Sequence, residues 1–165
     1  MQSIELIREN LKRSQEIVLS RIDDMRAHAL VPPTPQGGCH TLWVLGHLAF
    51  IESLLIHQFM QGQPNPLEAW EEMFDGAEVI NDPAQLVSFD VALQQCQATR
   101  AATIALLQTL DEAALDEPSA AAPPGSENLF GTYRHCFQYA ADHWFMHRGQ
   151  LADARRAAGV EKMWF

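Results

Sequence analysis

Apolar residues recur at helical spacing along almost the whole chain. In the first segment Ile4, Ile7, Leu11, Val18, Ile22 and Met25 fall three, four or seven apart. They place one apolar stripe on a helix of about seven turns, from near Ser3 to near Leu30. Pro32, Pro33 and Pro35, followed by Gly37 and Gly38, end it in a loop. A second helix begins near His40 or Thr41 and runs to about Gln61. Its first half is apolar nearly all round, with Leu42, Trp43, Val44, Leu45, Leu48, Ala49, Phe50 and Ile51. Such a helix is buried on most sides, and within that wall Gly46 and His47 stand out.

From Gly62 to about Ser88 the chain is punctuated by prolines and holds one short helical segment, Leu67 to Phe74. A third helix follows, roughly Phe89 to Leu110, with Ser88 as its N-cap. Its stripe is Val91 or Ala92, Cys96, Thr99, Thr103, Leu106 or Leu107, and Leu110. Pro118 to Gly125 form a second loop. A fourth helix starts at about Leu129 or Thr132 and ends at Ala158, with Gly159 where a C-terminal cap is expected. There is no internal repeat, no segment with strand alternation and no domain boundary, so residues 1–165 read as one domain.

Four helices with apolar stripes predict an all-α four-helix bundle. Short loops join antiparallel neighbours, whereas the stretch between helices two and three is long enough to cross the whole bundle. The expected order is up-down-down-up, with a long crossover between helices two and three. Helix four then runs antiparallel to helix two and can pack beside it.

Composition restricts partners more than it restricts fold. At 47% hydrophobic and 19% charged the chain is an ordinary globule. Its 11 basic and 21 acidic residues leave a formal charge of −10. That argues against nucleic acid or an anionic membrane as partner, since both need a basic patch. The cationic group Arg148, Arg155 and Arg156 sits near a helix C-terminus, where it meets the helix dipole favourably. No apolar run approaches the ~20 residues of a membrane span. Met1-Gln2-Ser3-Ile4-Glu5 lacks the basic and apolar regions of a secretion signal. Three scattered cysteines, Cys39, Cys96 and Cys136, do not form a disulfide framework. A reducing cytoplasm is the expected compartment.

The candidate chemistry lies in histidines. His143-Trp144-Phe145-Met146-His147 puts two imidazoles four apart on the last helix. Residues so spaced differ by roughly 40° in direction and about 6 Å in height, so the pair can hold one divalent ion from one side. His47, in Leu45-Gly46-His47-Leu48-Ala49, can close the site from helix two. Neutral imidazole suits zinc, nickel, iron or copper. Three such ligands leave coordination positions open, which separates a reactive site from a structural one. A lone histidine on an apolar helix is more often a hydrogen-bonded core residue, and the pair alone is a weak signal. Three partly buried imidazoles that need partners make the stronger case. Position 144 is Trp, so the in-motif general base of a zincin protease is missing. No Glu-x-x-His occurs, against a di-iron bundle.

Asp142, Glu52, Tyr139 and Gln150 are candidates to orient the rings through their other nitrogens. His40, seven before His47, is either a fourth ligand, a pocket residue or a solvated helix-entry histidine. Cys136 either lines the same face as His143 or is an apolar buried thiol. His28, His57 and His135 fall off these faces. Gly149 in a helix costs up to ~1 kcal/mol against Ala, which a close helix contact would justify.

Leu42-Trp43-Val44-Leu45-Gly46-His47-Leu48-Ala49 resembles the second-helix motif of the DinB superfamily of DinB/YfiT-like metalloenzymes. His143-Trp144-Phe145-Met146-His147-Arg148-Gly149-Gln150-Leu151, continuing to Arg155-Arg156-Ala157-Ala158-Gly159, resembles its closing motif. The resemblance implies a four-helix bundle with the crossover described above, often as a homodimer. It implies a divalent transition metal such as zinc, nickel or iron, held by His47, His143 and His147. Characterised members include transferases and isomerases that use low-molecular-weight thiols. The association with DNA damage concerns gene induction, not DNA binding.

The leading expectation is a metal-dependent enzyme, most specifically a low-molecular-weight-thiol S-transferase or a hydrolase-like relative, acting on a small molecule. Trp43 and Trp144 are candidate pocket walls or simply core. The rival is a non-catalytic, stress-associated dimeric module that binds metal or a small molecule, marked by a fourth protein ligand such as His40. A helical protein without metal is the third reading. In the tail from Val160 to Phe165, Trp164 and Phe165 are apolar enough to be expected to pack.

Overall fold

The structure, a computed structural model, describes residues 2–75 and 78–161. The tail aromatics Trp164 and Phe165 lie outside the described residues. The chain is all-α: among the described residues no strand forms beyond two isolated bridges, Thr34–Gly37 and Pro118–Thr132.

Helix α1 spans Ser3–Leu19 and is shorter than its apolar pattern predicts. The chain turns at Arg21, which takes a left-handed φ of 57°, and continues as a 3₁₀ helix over Ile22–His28. A 3₁₀ helix repeats every three residues, so Ile22 and Met25 still face the core and the stripe looks unbroken in sequence. The turn is fastened by Arg155, whose Nη1 donates to the Arg21 carbonyl at 3.0 Å.

Helix α2 spans Thr41–Ser53 and widens into π-helical turns over Leu54–Met60. Its N-cap is His40, whose Nδ1 accepts the Trp43 backbone N–H at 3.0 Å. Together Thr41–Met60 is 20 residues, long and apolar enough to cross a membrane by length and composition. The sequence pattern hides this because Gly46, His47, Glu52 and His57 interrupt the run. Most of that segment is buried inside the protein.

The connection holds a 3₁₀ turn at Glu68–Trp70 and then α3, Glu71–Phe74, matching the short helix expected there. Helix α4 is Phe89–Gln108, capped by Ser88 as expected. A four-residue helix, α5, covers Glu127–Phe130. Helix α6 is Tyr133–Ala157, capped by Thr132, and Gly159 follows with a positive φ of 69°.

The buried apolar side chains form two clusters. One joins Ile4, Ile7 and Leu11 of α1 to Leu55, Ile56 and Met60 at the far end of α2, Leu107 late in α4, and Cys136 and Phe137 early in α6. The other joins Val18 late in α1 to Leu42–Phe50 of α2, Phe89–Cys96 of α4, and Trp144 and Leu151 of α6. Each such aliphatic or aromatic side chain contributes ~1.5–3 kcal/mol by leaving water. The three histidines sit beside the second cluster, where α2 meets α6.

Candidate metal centre

His47 on α2 and His143 and His147 on α6 come together as the spacing predicts. Each offers one ring nitrogen, and the three nitrogens lie within 4.8 Å of one another. The two Nε2 atoms of His143 and His147 are 3.0 Å apart. The imidazoles of His47 and His147 meet edge to face at 4.7 Å between centroids, and those of His47 and His143 are 5.1 Å apart. His143 and His147 are buried, and His47 is the partly exposed member.

Two of the rings are pinned from outside the cluster. His47 Nδ1 donates to the Phe74 carbonyl at 2.6 Å, which leaves Nε2 with its lone pair toward the other histidines. His147 Nδ1 meets Gln150 Oε1 at 2.5 Å, which does the same for its Nε2. Trp43 stacks on His47 at 4.4 Å and 14°, and Tyr139 stacks on His143 at 5.7 Å and 17°. Burial lowers the pKa of all three imidazoles, and the neighbouring imidazoles add to this for the α6 pair. His147 falls to about 4 and His143 lower still, so near neutral pH the cluster is uncharged and able to donate lone pairs.

The donor set fits a divalent transition metal. Three imidazole nitrogens at ~2.0–2.1 Å from one ion lie about 3.3 Å apart in tetrahedral geometry, near the 3.0 Å between the His143 and His147 Nε2 atoms and inside the 4.8 Å that bounds the whole set. Among the described residues no further histidine, cysteine or carboxylate joins the cluster.

The other expected site residues are placed differently. His40 is buried at the start of α2, not solvated, and both its nitrogens are engaged. Nδ1 caps the helix and Nε2 donates to the Ile80 carbonyl at 2.9 Å, so it is not a fourth ligand. Of the four orienting candidates, Gln150 holds a ring nitrogen and Tyr139 only stacks. Asp142 is exposed and accepts from Gln138. Glu52 is buried and accepts instead from Arg100 and from Trp144 Nε1. Trp144 is therefore core rather than a wall, whereas Trp43 does line the cluster. Cys136 packs in the other apolar cluster, with its thiol pushed up to about 11 by burial. Gly149 makes no close helix contact: a Cβ there would meet nothing within 4 Å.

Two neighbours escaped the sequence. The Phe74 carbonyl is a backbone group 27 residues from His47, and backbone acceptors carry no side-chain signature. Cys39, half-buried, lies beside Gln150, which holds the His147 ring; burial raises its thiol pKa. A sequence model described as the DinB superfamily matches residues 3–151. No curated protein and no solved structure matches the chain.

Proposed function

The chain belongs to the DinB superfamily, and from that membership and its three-histidine cluster we propose a divalent-metal-dependent enzyme acting on a small molecule. His47, His143 and His147 are its metal ligands, and a low-molecular-weight thiol is the favoured co-substrate in an S-transfer reaction. The carrying observation is that the three inner nitrogens face each other, while the outer nitrogens of His47 and His147 are held by Phe74 and Gln150. Three neutral imidazoles whose inner nitrogens converge offer a divalent cation a ready donor set, beyond the one contact that His143 and His147 make with each other.

A divalent cation held by His47, His143 and His147 would lower the pKa of a thiol or water beside it. The chain's own part is positional. His47, the partly exposed member, stands where a substrate would enter, and Trp43 gives that entrance an apolar wall. The engagement of both His40 nitrogens favours open coordination positions over a closed structural site.

The zinc, nickel or iron identity of the ion, a homodimeric state and a cytoplasmic location belong to the same proposal. So does an up-down-down-up bundle. It is supported by the early parts of α1 and α6 sharing one apolar cluster with the late parts of α2 and α4.

Metal content by mass spectrometry tests the reading, on untagged protein purified without chelators beside His143→Ala. The expected result is about one transition metal per chain in the wild type, lost in the variant with helicity retained. No metal in the wild type after incubation with zinc, nickel or iron would sink it, and full metal in the variant would sink the ligand assignment.

A further inference from the structure

The crossover between α2 and α4 is fastened to α2 by two histidines seven residues apart. His40 Nε2 donates to the Ile80 carbonyl and His47 Nδ1 to the Phe74 carbonyl. Between these two bonds lies a contact that only glycine permits. A Cβ at position 46 would stand 2.2–2.4 Å from three atoms of the Phe74 ring, far inside van der Waals contact. The ring cannot swing away, because Phe74 is fully buried, belongs to the core cluster and packs on Trp70 at 5.2 Å. Its ring and its carbonyl are parts of one residue. Seating the ring on Gly46 therefore fixes the carbonyl where His47, the next residue of α2, donates to it.

We propose that Gly46 and Phe74 are positioning residues for the three-histidine centre. The missing Cβ seats Phe74, and the seated Phe74 holds His47 as the Nδ1–H tautomer with Nε2 toward His143 and His147. The helical glycine of the Leu45-Gly46-His47 run is thus read as part of the centre's construction, and α3 as the element that completes it. The effect on metal affinity rests on the metal reading above; the effect on the His47 tautomer does not.

By linkage the coupling runs both ways, so metal should also hold α3 more firmly on α2. The test uses Gly46→Ala, the compensating pair Gly46→Ala/Phe74→Leu, and Phe74→Leu alone. Zinc affinity is measured by chelator competition, the His47 tautomer by ¹⁵N NMR of metal-free protein, and helicity by circular dichroism. Gly46→Ala should keep its helicity and bind zinc ~10–100-fold more weakly, the range for lost outer hydrogen bonds to metal ligands. Its His47 should lose the single Nδ1–H form, and the pair should recover most of the affinity and the tautomer.

Wild-type affinity in Gly46→Ala, or weaker binding with the Nδ1–H tautomer intact, overturns the proposal. If Gly46→Ala does not fold, Phe74→Leu decides, since it loosens the seat without a clash. A mixed tautomer with weakened zinc binding supports the proposal, and no change in either overturns it. If the wild type binds no zinc, the metal reading has failed, and the tautomer in Gly46→Ala alone upholds or overturns the positioning role.

Discussion

Two buried polar clusters share α2 and α6, and they are completed in opposite ways. In the first, Glu52 Oε2 accepts from Arg100 Nε at 3.0 Å, Arg100 Nη2 at 2.7 Å and Trp144 Nε1 at 2.7 Å. Arg100 spends its remaining donors on the Leu11 and Ala140 carbonyls and the Ser14 hydroxyl, and lies over the Trp144 ring. All its N–H groups are used, one unit charge cancels another, and only Glu52 Oε1 lacks a partner. In the second cluster three neutral imidazoles turn their inner nitrogens toward each other. The first cluster balances its charges within the chain, one carboxylate oxygen left over, and ties α1, α2, α4 and α6 together. The second holds no charge of its own and turns three nitrogen donors toward one point, a set that suits a cation. A buried ion pair whose charges cancel inside the chain is architecture; neutral nitrogen donors turned toward one point suit a ligand.

The sharpest way to break that distinction is to remove one member from each cluster. Arg100→Ala strands a buried carboxylate and should cost about 3–5 kcal/mol. His143→Ala removes a base that the fold keeps neutral, so metal-free protein should lose less than half as much. Urea unfolding of chelator-treated protein measures both. Equal losses would mean that the histidines, too, are architecture.

Acid separates the clusters next. Burial, and then the neighbouring imidazoles, hold the His143 and His147 pKa values below the ordinary value. An unfolded imidazole titrates near 6.5, so below that pH the unfolded chain binds protons that the fold refuses. Stability present above pH ~6.5 is therefore lost as pH falls, by up to about 1.4 kcal/mol per pH unit for each such histidine. For His147 the loss continues until about pH 4. Metal-free wild type should show a steeper fall in urea midpoint between pH 6.5 and 4 than His143→Ala. Parallel profiles would remove the claim that these rings are held neutral. Metal should be released over a lower range than the fold would set alone, because binding competes with the same protons.

The two clusters were not equally legible in the sequence. His143 and His147 sit on one helix at a fixed spacing, and His47 is a polar residue in an apolar wall, so the pattern exposes all three. Glu52 stands out in the same way, but its partner Arg100 lies on another helix, and no spacing rule links residues 48 apart. The helices themselves were legible wherever the stripe and caps agree, as at Ser88, Thr132 and Gly159. The stripe of α1 misleads because a 3₁₀ turn keeps the same faces inward while the backbone changes course at Arg21. The seating of Phe74 was half visible, since Gly46 stands out in the apolar wall of α2 while nothing marks the residue that packs on it.

The two helical glycines give the smallest and most discriminating effect. Gly46 meets the Phe74 ring, whereas a Cβ at exposed Gly149 meets nothing. The same substitution should then have opposite signs. Alanine at 149 gains helix propensity and restricts the unfolded chain, so Gly149→Ala should raise stability by about 0.4–1 kcal/mol. Zinc affinity should not change, because His147 and Gln150 keep their bond on the same helix face. Thermal unfolding should register a rise of a few degrees at most. A destabilised Gly149→Ala, or one that loses zinc affinity, would mean that something outside the single chain approaches α6 at that point. The glycine of the closing motif would then owe its place to that contact rather than to tolerance.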